Sequence, residues 1–127
     1  MFELTINEKV YGFKFGLAFM REINKKVQQP IEGVKDQKQD VGLRFAVASL
    51  MDGDPIELVN VLDLANKTES PRVTRKELDA YIEDENTDID GLFTEVLDFL
   101  RKNNVTKKVV AFVEETIEAE KEKAKTE

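Results

Sequence analysis

The opening segment constrains the fold more than any other part of the chain. Phe2, Leu4 and Ile6, then Tyr11, Phe13 and Phe15, recur at every second position, with Glu3, Thr5 and Lys14 between them. Period two sends successive side chains to opposite sides of a strand, so residues 2–15 are predicted to form a β-hairpin with one large apolar face. If Ile6 opposes Tyr11, Leu4 opposes Phe13 and Phe2 opposes Phe15, all six share that face, and a one-residue slip would scatter them. The connection is then a two-residue turn at Glu8-Lys9 or a four-residue loop from Asn7 to Val10. Glu-Lys suits the primed turns poorly, which favours the wider loop. A lone two-stranded hairpin is marginal in water, so its aromatic face must lie on something else.

The rest of the chain supplies helices to cover it. After Gly16, Leu17, Met20, Ile23 or Asn24, and Val27 recur near 3.6 residues, predicting a first helix over 17–28. Pro30, Gly33 and KDQKQD break the pattern, giving a mobile loop of about ten residues. From 39 to 51 two apolar sets interleave, Val41, Phe45, Ala48 and Leu43, Val47, Leu50, so the second helix is apolar around much of its circumference and belongs at the centre. Asp54-Pro55-Ile56-Glu57 is a cap with proline at the first helical position, opening a third helix that runs to Asn66. Thr74 to Glu77 has capping-box spacing and opens a short fourth helix with Leu78, Tyr81 and Ile82.

Thr87 or Asp88 starts a fifth helix that buries Ile89, Leu92, Phe93, Val96, Phe99 and Leu100 and ends at Lys102. Asn103-Asn104 stops it in the left-handed conformation. Thr106 caps a sixth, with the stripe Val109, Phe112, Val113, Thr116 and Ile117. The last residues, 119–127, are almost wholly charged and either extend that helix through solvent or fray. The whole reads as a mainly α chain: one domain, 1–127, with the hairpin at 1–15, a bundle of about six helices at 16–118 and the charged tail. The hairpin packs through Tyr11, Phe13 and Phe15 onto a bundle holding Phe45, Leu62, Phe93 and Phe112.

Composition narrows the chemistry. There is no His, Cys or Trp, and the only serines are Ser49 and Ser70. Disulfides, zinc fingers and His-assisted nucleophiles are thereby excluded, and no cofactor is implied. The net charge is −7, and residues beyond 38 carry −9 of it against a slightly basic start. Such a surface disfavours nucleic acid and anionic membranes. Apolar runs stop at about five residues and MFELTINEKV lacks a signal-peptide pattern, which predicts a soluble intracellular protein.

Each candidate site has an ordinary structural explanation. An EF-hand frame from Asp84 finds Asn86, Asp88, Asp90 and Glu95 in place but puts Ile89 where the loop needs glycine; a frame from Asn86 corrects that with Gly91 and puts Leu97 where the bidentate Glu belongs. No metal site is expected. None of the six glycines belongs to a phosphate loop. The pairs Asp52 with Asp54 and Glu114 with Glu115 read as helix ends and a solvated face, not as acid/base machinery. Lys25, Lys26, Lys35 and Lys38 form a modest basic area suited to an acidic partner or to plain solvation.

The LTINEK hairpin, YGFKFG running into LAFMREIN, GDPIELVNVLDLA and VTKKVVAFVEE together span nearly the whole chain. In that order they resemble the small tail assembly chaperones of long-tailed phages and prophages of Gram-positive bacteria. Glu8 departs from the family at the hairpin turn, where glycine is more usual. The resemblance implies a non-enzymatic protein of the host cytoplasm, absent from the mature virion, that binds the tape measure protein and keeps it soluble until tail-tube protein replaces it. It also implies a longer, frameshifted form of the chain as a companion, and leaves room for a homo-oligomer. On that reading the partner-binding residues are Phe2 and Leu4 on the hairpin's edge strand, and Val109, Phe112, Val113 and Ile117 on the last helix. For Phe112 the core is the competing destination. Two other classes stay open: a small acidic adaptor or inhibitor that mimics nucleic acid, and a carboxylate-dependent enzyme.

Overall fold

The computed structural model describes residues 1–126. Its N-terminal hairpin pairs β1 (Phe2–Ile6) with β2 (Lys9–Phe13) in antiparallel register. Phe2 lies opposite Phe13, Leu4 opposite Tyr11 and Ile6 opposite Lys9. The register differs by two residues from the sequence-based expectation, because the turn is Asn7-Glu8, with positive φ at both (52° and 66°). Asparagine tolerates that conformation and Glu8 accepts it, so the chain makes the tight primed turn after all. A two-residue shift preserves parity, and Phe2, Leu4, Ile6, Tyr11, Phe13 and Phe15 are all buried.

The helices that cover this face are α1 (Leu17–Asn24), α2 (Gly42–Met51), α3 (Pro55–Asn66), α4 (Arg75–Glu83), α5 (Ile89–Lys102) and α6 (Lys107–Thr126). The first helix is four residues shorter than its apolar spacing suggested and buries Phe19 and Ile23, while Leu17 stays exposed. Its end is set by its dock against α2. The Asn24 side chain accepts a hydrogen bond from the Leu43 N–H (2.9 Å), satisfying a donor that the start of α2 leaves open. Gly42 lies so close that a Cβ there would sit 1.7 Å from the Ile23 carbonyl oxygen. Between these helices the expected loop is a small ribbon, β3 (Gln28–Pro30) paired with β4 (Lys38–Asp40), so α2 begins at residue 42 rather than 39.

Three of the four helix starts read from the sequence are built as expected. Asp54 accepts from the Ile56 and Glu57 N–H groups, Thr74 and Glu77 close a reciprocal capping box, and Asp88 accepts from the Gly91 N–H. The α5–α6 corner differs. Asn103 is extended, not left-handed, and it does the capping: its side chain accepts from the Val105 N–H and donates to the Phe15 carbonyl. Buried Thr106 instead donates its hydroxyl to the Leu100 carbonyl (2.6 Å). The charged tail continues α6 as far as Thr126; its last residue, 127, lies outside the described residues.

The core is one continuous cluster running from Phe2 to Val113. Phe2 meets Phe13, Phe15 and Phe99 at centroid distances of 6.0, 6.2 and 5.8 Å, and Phe15 meets Phe19 at 5.1 Å. Most of these are edge-on contacts, the arrangement that the ring quadrupole favours. α2 is central as expected, packing on α1, α3, α5 and α6. Two expected core aromatics are not in the core: Phe45 is 55% exposed and Phe112 is 48% exposed, whereas Leu62 is fully buried and Phe93 partly so. Buried Asn66, unnoticed in the sequence, ties β2 to the α3–α4 connection by donating to the Gly12 and Pro71 carbonyls and accepting from the Val73 N–H.

Candidate functional site

The two apolar sets of α2 have separate destinations. Leu43, Val47 and Leu50 enter the core, while Val41, Phe45 and Ala48 face a groove of about 450 Å³. Across the groove α6 divides its surface in the same way. Val110 and Val113 are buried in the core, and Val113 also borders the opposite wall, which Phe112, Thr116, Ile117 and Glu120 complete. Val27, Gln28 and Gln29, entering the β3–β4 ribbon, form the third side. A helix apolar on two sides needs two neighbours, and among the described residues the outer side of α2 is left facing the open groove.

One charged contact crosses the groove's end. The Arg44 guanidinium sits 4.3 Å from the centroid of the Phe112 ring, where the ring quadrupole attracts it and its aliphatic stem covers apolar surface. Glu120 stands two helical turns further along α6 on the same lining. The groove therefore has an apolar floor, two half-exposed aromatic rings and opposite charges toward its ends.

The residues singled out in the sequence are thus divided. Phe112, Val113 and Ile117 come together in the groove wall; Val109 packs beside the core on α6 and does not line it. Phe2 and Leu4 are buried core residues, and the outward side chains of β1 are the polar Glu3 and Thr5. Phe45 is on the surface rather than in the expected core, and Arg44, Gln28 and Gln29 join it at the groove without having been singled out in the sequence; the interleaving of Val41, Phe45 and Ala48 with a second set was the available signal.

The charged candidates have structural roles. Asp84 accepts from the Asn86 N–H and Thr87 donates to the Tyr81 carbonyl, which folds the acidic loop onto the capped start of α5. Among the described residues no group of three or more carboxylates is placed to hold a metal ion. Glu114 accepts from Arg101, which also pairs with Asp98. Lys25, Lys26, Lys35 and Lys38 are exposed on and around the ribbon. Among the described residues the clear carboxylate perturbation belongs to the capping box: Thr74, through its backbone N–H and hydroxyl, and then the Tyr11 hydroxyl hold Glu77 below its ordinary range. Burial, reinforced by Glu77, pushes the Tyr11 phenol up. Tyr11 donates to Glu77 at 3.0 Å, so this pair fastens the hairpin to α4 and lies away from the groove.

Among the described residues no helix is long and apolar enough to cross a membrane. The family model of the phage tail assembly chaperone protein matches residues 3–115, from β1 to the middle of α6. No curated protein and no solved structure matches the chain.

Proposed function

The chain belongs to the phage tail assembly chaperone family, and from that premise we propose that it binds the tape measure protein and keeps it soluble until tail-tube protein takes its place. The observation that carries this reading is the groove between α2 and α6, where Phe45 and Phe112 stand half-exposed beside an apolar floor. A holdase that works without nucleotide needs apolar contacts that can be displaced, and enough charge to keep the complex in solution. The groove supplies the first and the net charge of −7 the second. No catalytic step is assigned to any residue. The place of action is the host cytoplasm, with the tail-tube protein and a frameshifted longer form of the chain as further partners, and the charged tail acts as a solubilising extension of one folded unit.

Co-expression tests the proposal. The cognate tape measure protein should move from the insoluble to the soluble fraction when this chain is present, and should co-purify with it without nucleotide. If the chain neither binds nor solubilises that protein at any salt concentration, yet competes with DNA for a basic protein, the acidic-mimic reading takes its place.

A further inference from the structure

The groove also carries information about what fits into it. Its lining on α6 runs from Phe112 to Glu120, a rise of about 12 Å, which is the length of two helical turns. A strand is a poor occupant, since β3 is only three residues long and Pro30 brings no N–H to an added partner. A helix needs no backbone bonds from its host and can present residues i, i+3, i+4 and i+7 to the two rings and the floor between them. The ends differ in charge. Arg44 lies over Phe112 at one end and Glu120 lies at the other. Among the described residues Glu120 makes no ion pair with a neighbour.

Taking the proposed binding of the tape measure protein as its basis, we infer that this groove holds a two-turn apolar face of an amphipathic helix with an acidic residue at the Arg44 end and a basic residue at the Glu120 end. The apolar face supplies affinity. The two end charges fix direction and register, because a helix of the wrong polarity places like charges together at both ends. Any client that repeats such a face can be held at several places, so the groove selects segments by pattern and needs no unique sequence.

Three fluorescent synthetic helical peptides test this against the full-length protein. They share one apolar face and carry acid and base at opposite ends, acid at both ends, or base at both ends. The mixed peptide should bind on the order of tenfold tighter than either of the others at low salt, with the gap closing at high salt. Phe45→Glu should weaken it by about 30-fold. Because Phe45 is exposed, an unchanged melting temperature confirms that this variant is folded. Glu120→Lys should transfer the preference to the peptide with acid at both ends. Equal binding of all three peptides, or a preference that Glu120→Lys leaves in place, overturns the inference. So does a groove occupied by a second copy, seen as a dimer in sedimentation that Phe45→Glu dissolves. These outcomes are separable from failure of the chaperone role: a protein that solubilises the tape measure protein equally well with Phe45→Glu keeps its function and loses only this groove.

Discussion

Two aromatic surfaces in this molecule carry the same kind of sequence signal and have opposite environments. On the hairpin, Phe2, Phe13 and Phe15 are buried beneath α1, α3 and α5; Phe2 meets Phe13, Phe15 and Phe99 edge-on, and Phe15 meets Phe19 edge-on and Phe99 at a tilt. In the groove, Phe45 and Phe112 keep about half their surface in water, and the Arg44 guanidinium lies over the Phe112 ring. Periodicity places a side chain on a face. What covers that face depends on the other elements: helices cover the hairpin, and among the described residues no helix covers the outer side of α2 and α6. The first surface builds the fold; the second is left available to a partner.

The contrast can be broken most decisively at Phe15. Phe15→Ala should cost about 3–5 kcal/mol, read from urea unfolding, because it removes a fully buried ring with several ring contacts. A loss below about 1 kcal/mol would mean that the hairpin face is not true core. Asn66→Ala should cost about 1–3 kcal/mol by leaving the Val73 N–H and the Gly12 carbonyl without their partner, and it should loosen the hairpin relative to α3. Hydrogen exchange at Val73 would report this directly.

A pH series sharpens the same side of the comparison. Glu77 is held below its ordinary value of 4.5, so at acid pH the unfolded chain takes up this proton first. The stability that Glu77 contributes is therefore present above its unfolded value and is lost as pH falls through the lowered folded value. Glu77→Gln keeps the shape of the capping box, should lower stability at neutral pH, and should converge with wild type as pH falls through the lowered folded value, so the acid side of its profile is flatter. The smallest effect belongs to the groove: Phe45→Ala should change unfolding free energy by less than about 0.5 kcal/mol, the range of an ordinary surface substitution.

Much of the hairpin and most helix starts were legible because they rest on local chemistry: alternation, Asp54 before Pro55, Thr74 three residues before Glu77. The hairpin register was misread by two residues because parity alone allows it, and the choice turned on whether Glu8 would accept positive φ. The β3–β4 ribbon was invisible, since Gln28–Pro30 and Lys38–Asp40 are wholly exposed and carry no apolar alternation. Asn66 left no signal, being one polar residue at the end of a helix whose partners are distant in sequence. For the groove, Phe112, Val113 and Ile117 were found as a stripe, but Phe45 was assigned to the core: an apolar residue on a two-sided helix does not reveal which side its neighbours leave open.

The central claim is that the exposed pair, and not the hairpin face, meets the client. Its most direct test is recovery of soluble tape measure protein on co-expression with the double variant Phe45→Glu and Phe112→Glu, beside wild type, with the melting temperature of each measured alone. The account predicts an unchanged melting temperature and loss of most of the soluble client. Full recovery of soluble client by a folded double variant would contradict it.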